Sequence, residues 1–400
     1  MKIFVGIDWG SRNHAVCAVD DRGIVLEQFT IVHDWRGLDE LVARLRALGG
    51  PDEVKVCIET PRHVVVSYLL EAGFTVIPAH PNFVKAARSR YSTTGAKSDP
   101  QDAFILADFL RTDLHRLRIL EPDSEMTQAL RELVCARRNA VDQRHRSIQR
   151  LRSCLSQHFP GAIELFSKLH SPIPLAFLER YPTYETAKRI GQKRMTSFLK
   201  KQGYPGSKKP EQLIEALKAA PAGTTGVLSA ASRVTVNGVI AELRVFNANI
   251  KTIGDAMKNL LDEHEDSRIF ENLPMTDTTL KADFILLFGD QRNRFNNAES
   301  LAALCGVAPV TFASGRSRRV GFRVACRKPQ RQTMHLFAHL IRRKCAWSSA
   351  VYDRARQRGC SHAHALRILS RAWLRVLFHC WKDKVPFDPE RLAAAKNAAI

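Results

Sequence analysis

The sequence predicts an α/β domain at the N-terminus, followed by long helices and then a basic, mainly α-helical C-terminal domain. Three features of the sequence support this division. The hydrophobic period changes from two to about 3.6 after residue 31, two later segments carry a heptad-like repeat, and positive charge is concentrated near the C-terminus. Four hundred residues exceed the usual size of one domain, so two or three folding units are expected.

Residues 1–115 alternate between strand-like and helix-like patterns. Apolar runs at 3–7, 14–19 and 24–31 are separated by short turns, which predicts an antiparallel meander of three strands. Helical spacing then alternates with two further strands at 54–58 and 74–77, and helices are expected near 81–88 and 98–110. The predicted order is three strands, then a helix, a strand, a helix, a strand and a helix. This is the element order of the ribonuclease-H-like fold.

Four carboxylates lie where that fold would bring them together. Asp8 ends the first strand, Glu59 follows the fourth, and Asp99 and Asp102 lie three residues apart at the start of a helix. Each residue taken singly is also typical of a turn or a helix cap. Four carboxylates in one place repel each other unless a divalent cation neutralises them, and Mg²⁺ prefers oxygen ligands. The pattern therefore predicts a site for one or two Mg²⁺ ions.

The positive charge of the chain is unevenly distributed. Eighteen Lys or Arg and only two acids, Asp353 and Asp383, lie between residues 311 and 384, so this segment carries a surplus of sixteen out of a formal net charge of +21. Most of these cations are Arg, whose planar guanidinium matches phosphate geometry. A solvated basic face is the plainer interpretation, but the pattern favours binding of nucleic acid.

Two segments predict long helices with coiled-coil seams. The second is the more regular, because its apolar residues alternate steps of three and four without interruption. The two helices could pair within one chain or between chains, and an oligomerising stalk is the preferred interpretation. The region 122–268 is therefore assigned to this stalk, with a Pro-rich helical insert at about 159–223. The seam residues are Val236, Val239, Leu243, Phe246, Ile250, Ile253, Met257 and Leu260.

The cysteines and the N-terminal sequence favour a bacterial, cytoplasmic protein, which is expected to be associated with the nucleoid. The nine cysteines include no Cys-x-x-Cys pair, so a disulfide framework is not expected. Cys360, His362 and His364 lie close together but lack a second pair of zinc ligands. Asp8 interrupts the only apolar run near the N-terminus, which argues against a signal peptide, and no apolar stretch reaches the ~20 residues of a membrane span.

Motifs in both halves of the sequence resemble those of a known family. A strand-borne Asp, a strand-end Glu and then Lys-Ser-Asp-Pro-Gln-Asp-Ala are similar to the DEDD transposases of the insertion-sequence-110 family. In the C-terminal part, residues 295–315 contain an aromatic-led helix, Gly-Val-Ala-Pro and then Ala-Ser-Gly, which resembles the family's C-terminal transposase domain. The resemblance covers residues 2–110 and 269–384 and implies a RuvC-like catalytic domain. It assigns 269–388 to the transposase domain.

The resemblance also implies a catalytic serine. Ser314 matches the family's nucleophile, which becomes covalently joined to DNA, and Ser317 is the alternative. Gly315 leaves room for the backbone, although Ala-Ser-Gly-Arg-Ser is also ordinary turn chemistry. Nearby cations are candidates for holding nucleic acid phosphates. These are Arg316, Arg318, Arg319, Arg323, Arg327 and Lys328.

The predicted function is that of a Mg²⁺-dependent DNA transposase or site-specific recombinase. The resemblance implies element-end and target DNA as substrates, a dimer or tetramer in which domains of different subunits meet, and a structured bridge RNA as guide. One alternative is a hydrolytic Holliday-junction or ribonuclease-H-like nuclease, in which water attacks and no covalent intermediate forms. Another is a basic nucleic-acid-binding protein without catalysis.

Overall fold

The chain folds into two compact units, Met1–Pro122 and Asp123–Ile400, in a computed structural model. The structure describes residues 1–59, 63–91, 98–274 and 277–390. Lys97, which belongs to the motif around Asp99, lies outside these ranges. Within them, no helix is both long enough and apolar enough to cross a membrane.

The first unit is built on a five-stranded sheet. Strand β1 pairs with β2 in the antiparallel sense and with β4 in the parallel sense, and the strand order is β3-β2-β1-β4-β5. The expected meander and the expected contact between the first and fourth strands are both confirmed. The strands are β1 (Ile3–Trp9), β2 (Asn13–Val19), β3 (Val25–Val32), β4 (Val54–Ile58) and β5 (Thr75–Pro78).

Two pairs of helices cover the two faces of this sheet. The helices are α1 (Trp35–Leu48), α2 (Val64–Glu71), α3 (Pro81–Arg88) and α4 (Asp99–Asp113). Side chains of a strand alternate between faces, so Val5 and Ile7 pack in one core with α1 and α2. Phe4 and Cys57 pack on the other face, in a core with α3 and α4.

Helix α4 lies unusually close to β1 because Gly6 has no side chain. A Cβ added at Gly6 would lie 2.0 Å from the carbonyl oxygen of Ala103 and 2.5 Å from the amide nitrogen of Ala107. No larger residue fits without moving the helix. Gly6 therefore fixes how deeply the first half of α4 sits on the sheet.

The second unit contains two long helices that pack against each other within the chain. These are α5 (Glu125–His158) and α11 (Gly226–Glu263). They run antiparallel, because Thr127 Oγ1 lies 2.8 Å from His264 Nε2 near one end and His158 Nδ1 lies 3.2 Å from Thr224 Oγ1 near the other. The α11 seam is therefore at least partly covered by α5, while a coiled-coil geometry and an oligomer remain predictions.

The Pro-rich insert forms five short helices at one end of this helix pair. They are α6 (Gly161–Leu165), α7 (Pro172–Arg180), α8 (Tyr184–Ala187), α9 (Gln192–Lys201) and α10 (Pro210–Ala219). Their core includes Leu151 and Leu155 of α5 together with Val239 and Leu243 of α11. The insert therefore shares one hydrophobic core with that end of the helix pair.

The C-terminal region packs at the opposite end of the helix pair, around Leu130 of α5 and Met257 of α11. Because Gly and Ser dominate turns, the sequence of residues 306–321 predicts a loop. This prediction is wrong for residues 310–321, which form a two-stranded β-hairpin whose register is set by pairing along both strands. The elements are α12 (Thr278–Phe288), α13 (Ala298–Leu304), β6 (Val310–Ser314), β7 (Ser317–Gly321), α14 (Lys328–Ile341), α15 (Ala346–Gln357) and α16 (His362–Lys382).

Replacing Gly6 by Ala tests the close packing of α4. The new methyl would clash with backbone atoms, which cannot rotate away, so Gly6→Ala should lower the free energy of unfolding of the first unit by about 2–4 kcal/mol. Gly50→Ala is the matched control, since nothing lies within 4 Å of the added Cβ. Urea unfolding followed by circular dichroism measures both, and equal stability of the two variants would contradict the packing described.

Candidate active site

Asp8 and Glu59 come from neighbouring parallel strands. Ile7 is in register with Ile58, so each acid is the next residue after this pair. Every second side chain of a strand points to the same face of the sheet, so Asp8 lies on the face that carries Phe4 and Gly6. By the same rule, Glu59 lies on the face of Cys57, which is that same face. Both acids are half-buried. The sheet therefore brings these two carboxylates to adjacent positions under α3 and α4.

The other two acids occupy the first turn of α4. Ser98 is the N-cap, and its side chain accepts a hydrogen bond from the backbone N–H of Gln101, with a proline in the first turn as expected. Asp99 is exposed, whereas Asp102 is 2% exposed. Ala103, the residue after Asp102, contacts Gly6 two residues before Asp8. The close approach of α4 thus carries Asp102 toward the face that holds Asp8.

The buried Asp102 carboxylate is held by Arg88 at the end of α3. The Arg88 Nε donates to Oδ1 at 2.7 Å and its Nη2 donates to Oδ2 at 2.7 Å, so both carboxylate oxygens accept from one guanidinium. Among the described residues, no three His, Cys, Asp or Glu side chains lie close enough together to hold a metal ion. In this structure, then, Arg88 supplies positive charge to Asp102.

The sequence alone does not identify Arg88 as a site residue. It follows two alanines in a short helix that has no motif of its own, so nothing local distinguishes it from other surface arginines. Only the packing of α3 beside α4 brings it within reach of Asp102. Its side chain is 35% exposed, against 3% for the side chain of Asp102. The pair therefore has one buried partner and one partner that reaches toward solvent.

Two buried cysteines flank Gly6 beneath α4, and their thiols are unreactive. Cys17 and Cys57 are both in register with Gly6 on the strands beside β1. Burial raises the pKa of Cys17 to about 11 and that of Cys57 to about 12, so both thiols stay protonated near neutral pH. They act as small core residues. All nine cysteines of the chain are free thiols.

A histidine cluster lies near the same end of β1, but on the opposite face of the sheet. His14 Nε2 lies 2.8 Å from His33 Nδ1, and Trp9 stacks on His63 with ring centroids 3.9 Å apart. Burial, and then the neighbouring His33 and His63, lower the pKa of His14 to about 4. His14 is therefore neutral at neutral pH and adds no positive charge beside the carboxylates.

Ser314 lies at the tip of the β6–β7 hairpin. Ser314 is paired with Ser317, and the two residues between them form a tight turn in which Gly315 has φ +54°. This left-handed backbone is costly for residues with a Cβ, which explains the glycine. All four residues of the tip are exposed. The hydroxyl of Ser314 is thus presented to solvent on a short, defined scaffold.

The hairpin register separates the candidate phosphate-binding arginines. Residues directly opposite each other on antiparallel strands share a face, and successive residues of one strand alternate between faces. Arg319 therefore lies on the same face as Ser314, and Arg318 lies on the other. Sequence spacing alone does not separate these two arginines. The register pairs are Ser314 with Ser317, Ala313 with Arg318 and Phe312 with Arg319.

The segment after the hairpin is tethered by two arginines from α14 and α16. The guanidinium carbons of Arg331 and Arg367 each lie 4.7 Å from the ring centroid of Phe322. Arg331 also donates to the carbonyl oxygen of Arg323 at 2.6 Å. Burial, and then the charge of Arg331, lower the pKa of Arg367. Of the other predicted cations, Arg327 is the N-cap of α14 and Lys328 is its first residue.

Two family models match the chain on either side of the insert. A DEDD-type model described as a transposase matches residues 5–160, and a model described as "Transposase IS116/IS110/IS902 family" matches residues 267–353. Both models describe transposases, which defines the class of this protein. The two matched stretches contain the four acids and Ser314, respectively.

Full-length relatives agree with the family models. The chain is 32% identical over 404 residues to the "Mini-circle putative transposase for IS117" of Streptomyces coelicolor, covering 98% of this chain and 97% of the relative. It is 26% identical to an uncharacterized 42 kDa protein of insertion element IS900 from Mycobacterium paratuberculosis, covering 98% and 99%. The chain therefore belongs to the IS110 family of transposases, as the resemblance had indicated.

Removing the guanidinium of Arg88 tests its role as the counter-charge of Asp102. Arg88→Ala would remove both of these hydrogen bonds and their positive charge from a buried carboxylate. The free energy of unfolding should therefore fall by about 2 kcal/mol, less than for a fully buried pair because Arg88 reaches solvent. If a cation can replace the guanidinium, millimolar Mg²⁺ should raise the melting temperature of the variant more than that of the wild type.

The control is Arg116→Ala, since Arg116 is 74% exposed and pairs with Asp113 on the protein surface. Its melting temperature should stay close to that of the wild type with and without Mg²⁺. Differential scanning calorimetry of all three proteins measures the effect. An Arg88→Ala variant as stable as the wild type would contradict the counter-charge role.

Proposed function

We propose that this transposase cuts and rejoins DNA through a covalent serine–phosphate intermediate, with Ser314 as the nucleophile. The observation that carries the proposal is the hairpin tip, where a hydroxyl and the guanidinium of Arg319 share one exposed face. A phosphodiester that approaches this face meets a nucleophile and a positive charge together. The match of the C-terminal family model over residues 267–353 supports the same assignment.

In the proposed reaction, the Ser314 oxygen forms a bond to phosphorus while one phosphorus–oxygen bond to deoxyribose breaks. The serine proton passes to a base, and the departing deoxyribose oxygen takes up a proton. The released hydroxyl of another strand then attacks the serine–phosphate, which frees the serine and completes strand transfer. Residues 310–321 contain no His, Asp or Glu, so the base must come from outside the hairpin.

The first unit is proposed to be a ribonuclease-H-like, RuvC-like nuclease domain. Its strand order, with three antiparallel strands followed by two parallel ones, supports this assignment. Asp8, Glu59, Asp99 and Asp102 would hold one or two Mg²⁺ ions. The donor set fits the ion, because all four groups are carboxylates and the buried Asp102 already requires a positive partner. Such an ion supplies charge that lowers the pKa of a hydroxyl and stabilises a departing oxygen.

The protein is also proposed to work as a dimer or tetramer. In the middle of the α5–α11 pair, Val141, Phe246 and Ile250 are only half-buried and belong to neither of the two cores at its ends. A second helix pair would cover this apolar band. A structured guide RNA and nucleoid association follow from the family resemblance and are part of the proposal.

Trapping on DNA tests the serine. A nicked suicide DNA substrate should yield a covalent protein–DNA adduct that survives denaturing gel electrophoresis for the wild type, and none for Ser314→Ala. Ser317→Ala is the matched control, because it removes the hydroxyl directly opposite and should still form the adduct. An adduct with Ser314→Ala would move the role to another residue. Cleavage without any adduct would favour the hydrolytic nuclease.

Substitution of the neighbouring arginines tests, in the same assay, which face of the hairpin binds the reacting phosphate. Arg319→Gln should slow adduct formation roughly 100-fold or more, since it removes a charge that faces the reacting phosphate. Arg318→Gln should slow it less than about tenfold, because Arg318 lies on the other face and contributes only through general attraction to DNA. The reverse order of the two variants would contradict the proposed orientation of DNA on the hairpin.

Polar substitution in the half-buried band tests oligomer formation. Ile250→Gln should weaken self-association at least about tenfold, because it places an amide in the apolar interface. Val245→Gln is the control, since Val245 is 56% exposed on the same helix. Sedimentation velocity over a range of concentrations measures both. A wild-type protein that stays monomeric at micromolar concentration would contradict the oligomer.

A further inference from the structure

The insert carries a face of eight cations that has no role in the proposed chemistry. We name it the insert cation face. It lies between the stretches that the two family models match, residues 5–160 and 267–353. Its members are all exposed. They are Lys188, Arg189, Lys193, Arg194, Lys200, Lys201, Lys208 and Lys209.

The eight cations come together around helix α9. Lys188 and Arg189 directly precede Gly191, the N-cap of this helix. Within α9, Met195, Phe198 and Leu199 are buried, and the four cations of the helix fall on the opposite, exposed side. Gln192 Nε2 donates to Glu211 of α10, which brings the two lysines before α10 next to the start of α9. The eight cations therefore lie on α9 and on the two segments next to its start.

The described part of the chain supplies this face with eight cations but with no close ion pair. Within the described ranges, none of its members forms an ion pair with a carboxylate at 4.0 Å or less, although other exposed arginines do, such as Arg244 with Glu179. Glu211 interacts with Gln192, and the carbonyl oxygen of Glu164 accepts a hydrogen bond from Lys208. Glu185 accepts hydrogen bonds from Ser229 and from the backbone N–H of Gly226, which lower its pKa, and the charges of Lys188 and Arg189 lower it further. The surplus of positive charge is what a polyanion neutralises.

The composition of the face favours the backbone of duplex nucleic acid over unpaired bases. Six of the eight cations are Lys, which act as point charges and do not read base edges. The exposed side of α9 carries Thr196 and Ser197 between its cations and no aromatic residue on which a base could stack. Binding here would therefore hold a double helix without regard to its sequence.

The helix pair sets where this second contact lies. The insert and the C-terminal region, which carries the Ser314 hairpin, pack at opposite ends of α5 and α11. A helix of 34 residues spans about 50 Å, which equals roughly 15 base pairs of B-form DNA. We infer that the insert cation face binds the phosphate backbone of duplex DNA at a distance from the reacting phosphate. This rests on the proposed function and adds a DNA contact outside the reaction site.

Charge removal with a matched control tests the inference. Lys193→Gln with Lys200→Gln removes two cations from the face, and full-length protein is titrated onto a duplex of about 40 base pairs at several salt concentrations. Affinity should fall roughly tenfold near 0.15 M salt, and the slope of log affinity against log salt should become shallower by about two. Fluorescence anisotropy gives both values.

The control removes two exposed lysines that lie outside the insert cation face, on α11. Lys251 and Lys258 are exposed on α11, and each has an aspartate four residues further along the helix. Lys251→Gln with Lys258→Gln should change affinity less than about twofold and leave the slope unchanged. Equal losses from the two double variants would overturn the inference. So would a loss confined to an RNA hairpin of similar length, which would assign the face to RNA.

An adduct assay on the same proteins distinguishes a failure of this inference from a failure of the Ser314 mechanism. With saturating suicide DNA, the Lys193→Gln, Lys200→Gln variant should form the covalent adduct as fully as the wild type, because its hairpin is unchanged. A wild type that forms no adduct would refute the serine mechanism. The DNA affinities and salt slopes of the wild type and the variant would still test the insert cation face. A variant with wild-type affinity and slope on duplex DNA would refute the insert cation face alone.

Discussion

The contact between Gly6 and helix α4 is the constraint on which the candidate active site depends. Because the backbone of α4 lies against β1 at a position without a side chain, the first turn of the helix is fixed relative to the sheet. Asp102 is buried as a consequence, and a buried carboxylate requires either a cation or a set of hydrogen-bond donors. Arg88 provides that charge here. The same contact carries Asp102 toward the face of the sheet on which Asp8 lies.

Much of the first unit could be predicted from the sequence because its signals are local. The short apolar runs placed the five strands within two residues of their ends, and Pro100 marked the start of α4. The contact between β1 and β4 followed from the order of the elements. Arg88 could not be predicted, since its pairing with Asp102 depends on how α3 packs against α4. Whether the four acids bind a metal stays a prediction.

In the second unit, the sequence predicted the long helices but left open whether they pair within the chain. An apolar seam in the sequence shows which side of a helix is buried, but it does not show which helix packs against that side. The structure pairs α11 with α5 of the same chain. The hairpin around Ser314 was also missed, because Gly, Ser and Arg at exposed positions give no strand period. Its register is what separates Arg319 from Arg318, and sequence spacing alone could not do so.

The most direct test of this account is to locate the metal. Crystals of the protein with DNA, grown with Mn²⁺ in place of Mg²⁺, would give anomalous scattering peaks at bound ions. A bound ion should give a peak at coordination distance from carboxylate oxygens of Asp8 and Asp102, with Arg88 no longer donating to both oxygens of Asp102. Crystals in which Arg88 keeps both hydrogen bonds and no peak lies near the four acids would contradict it.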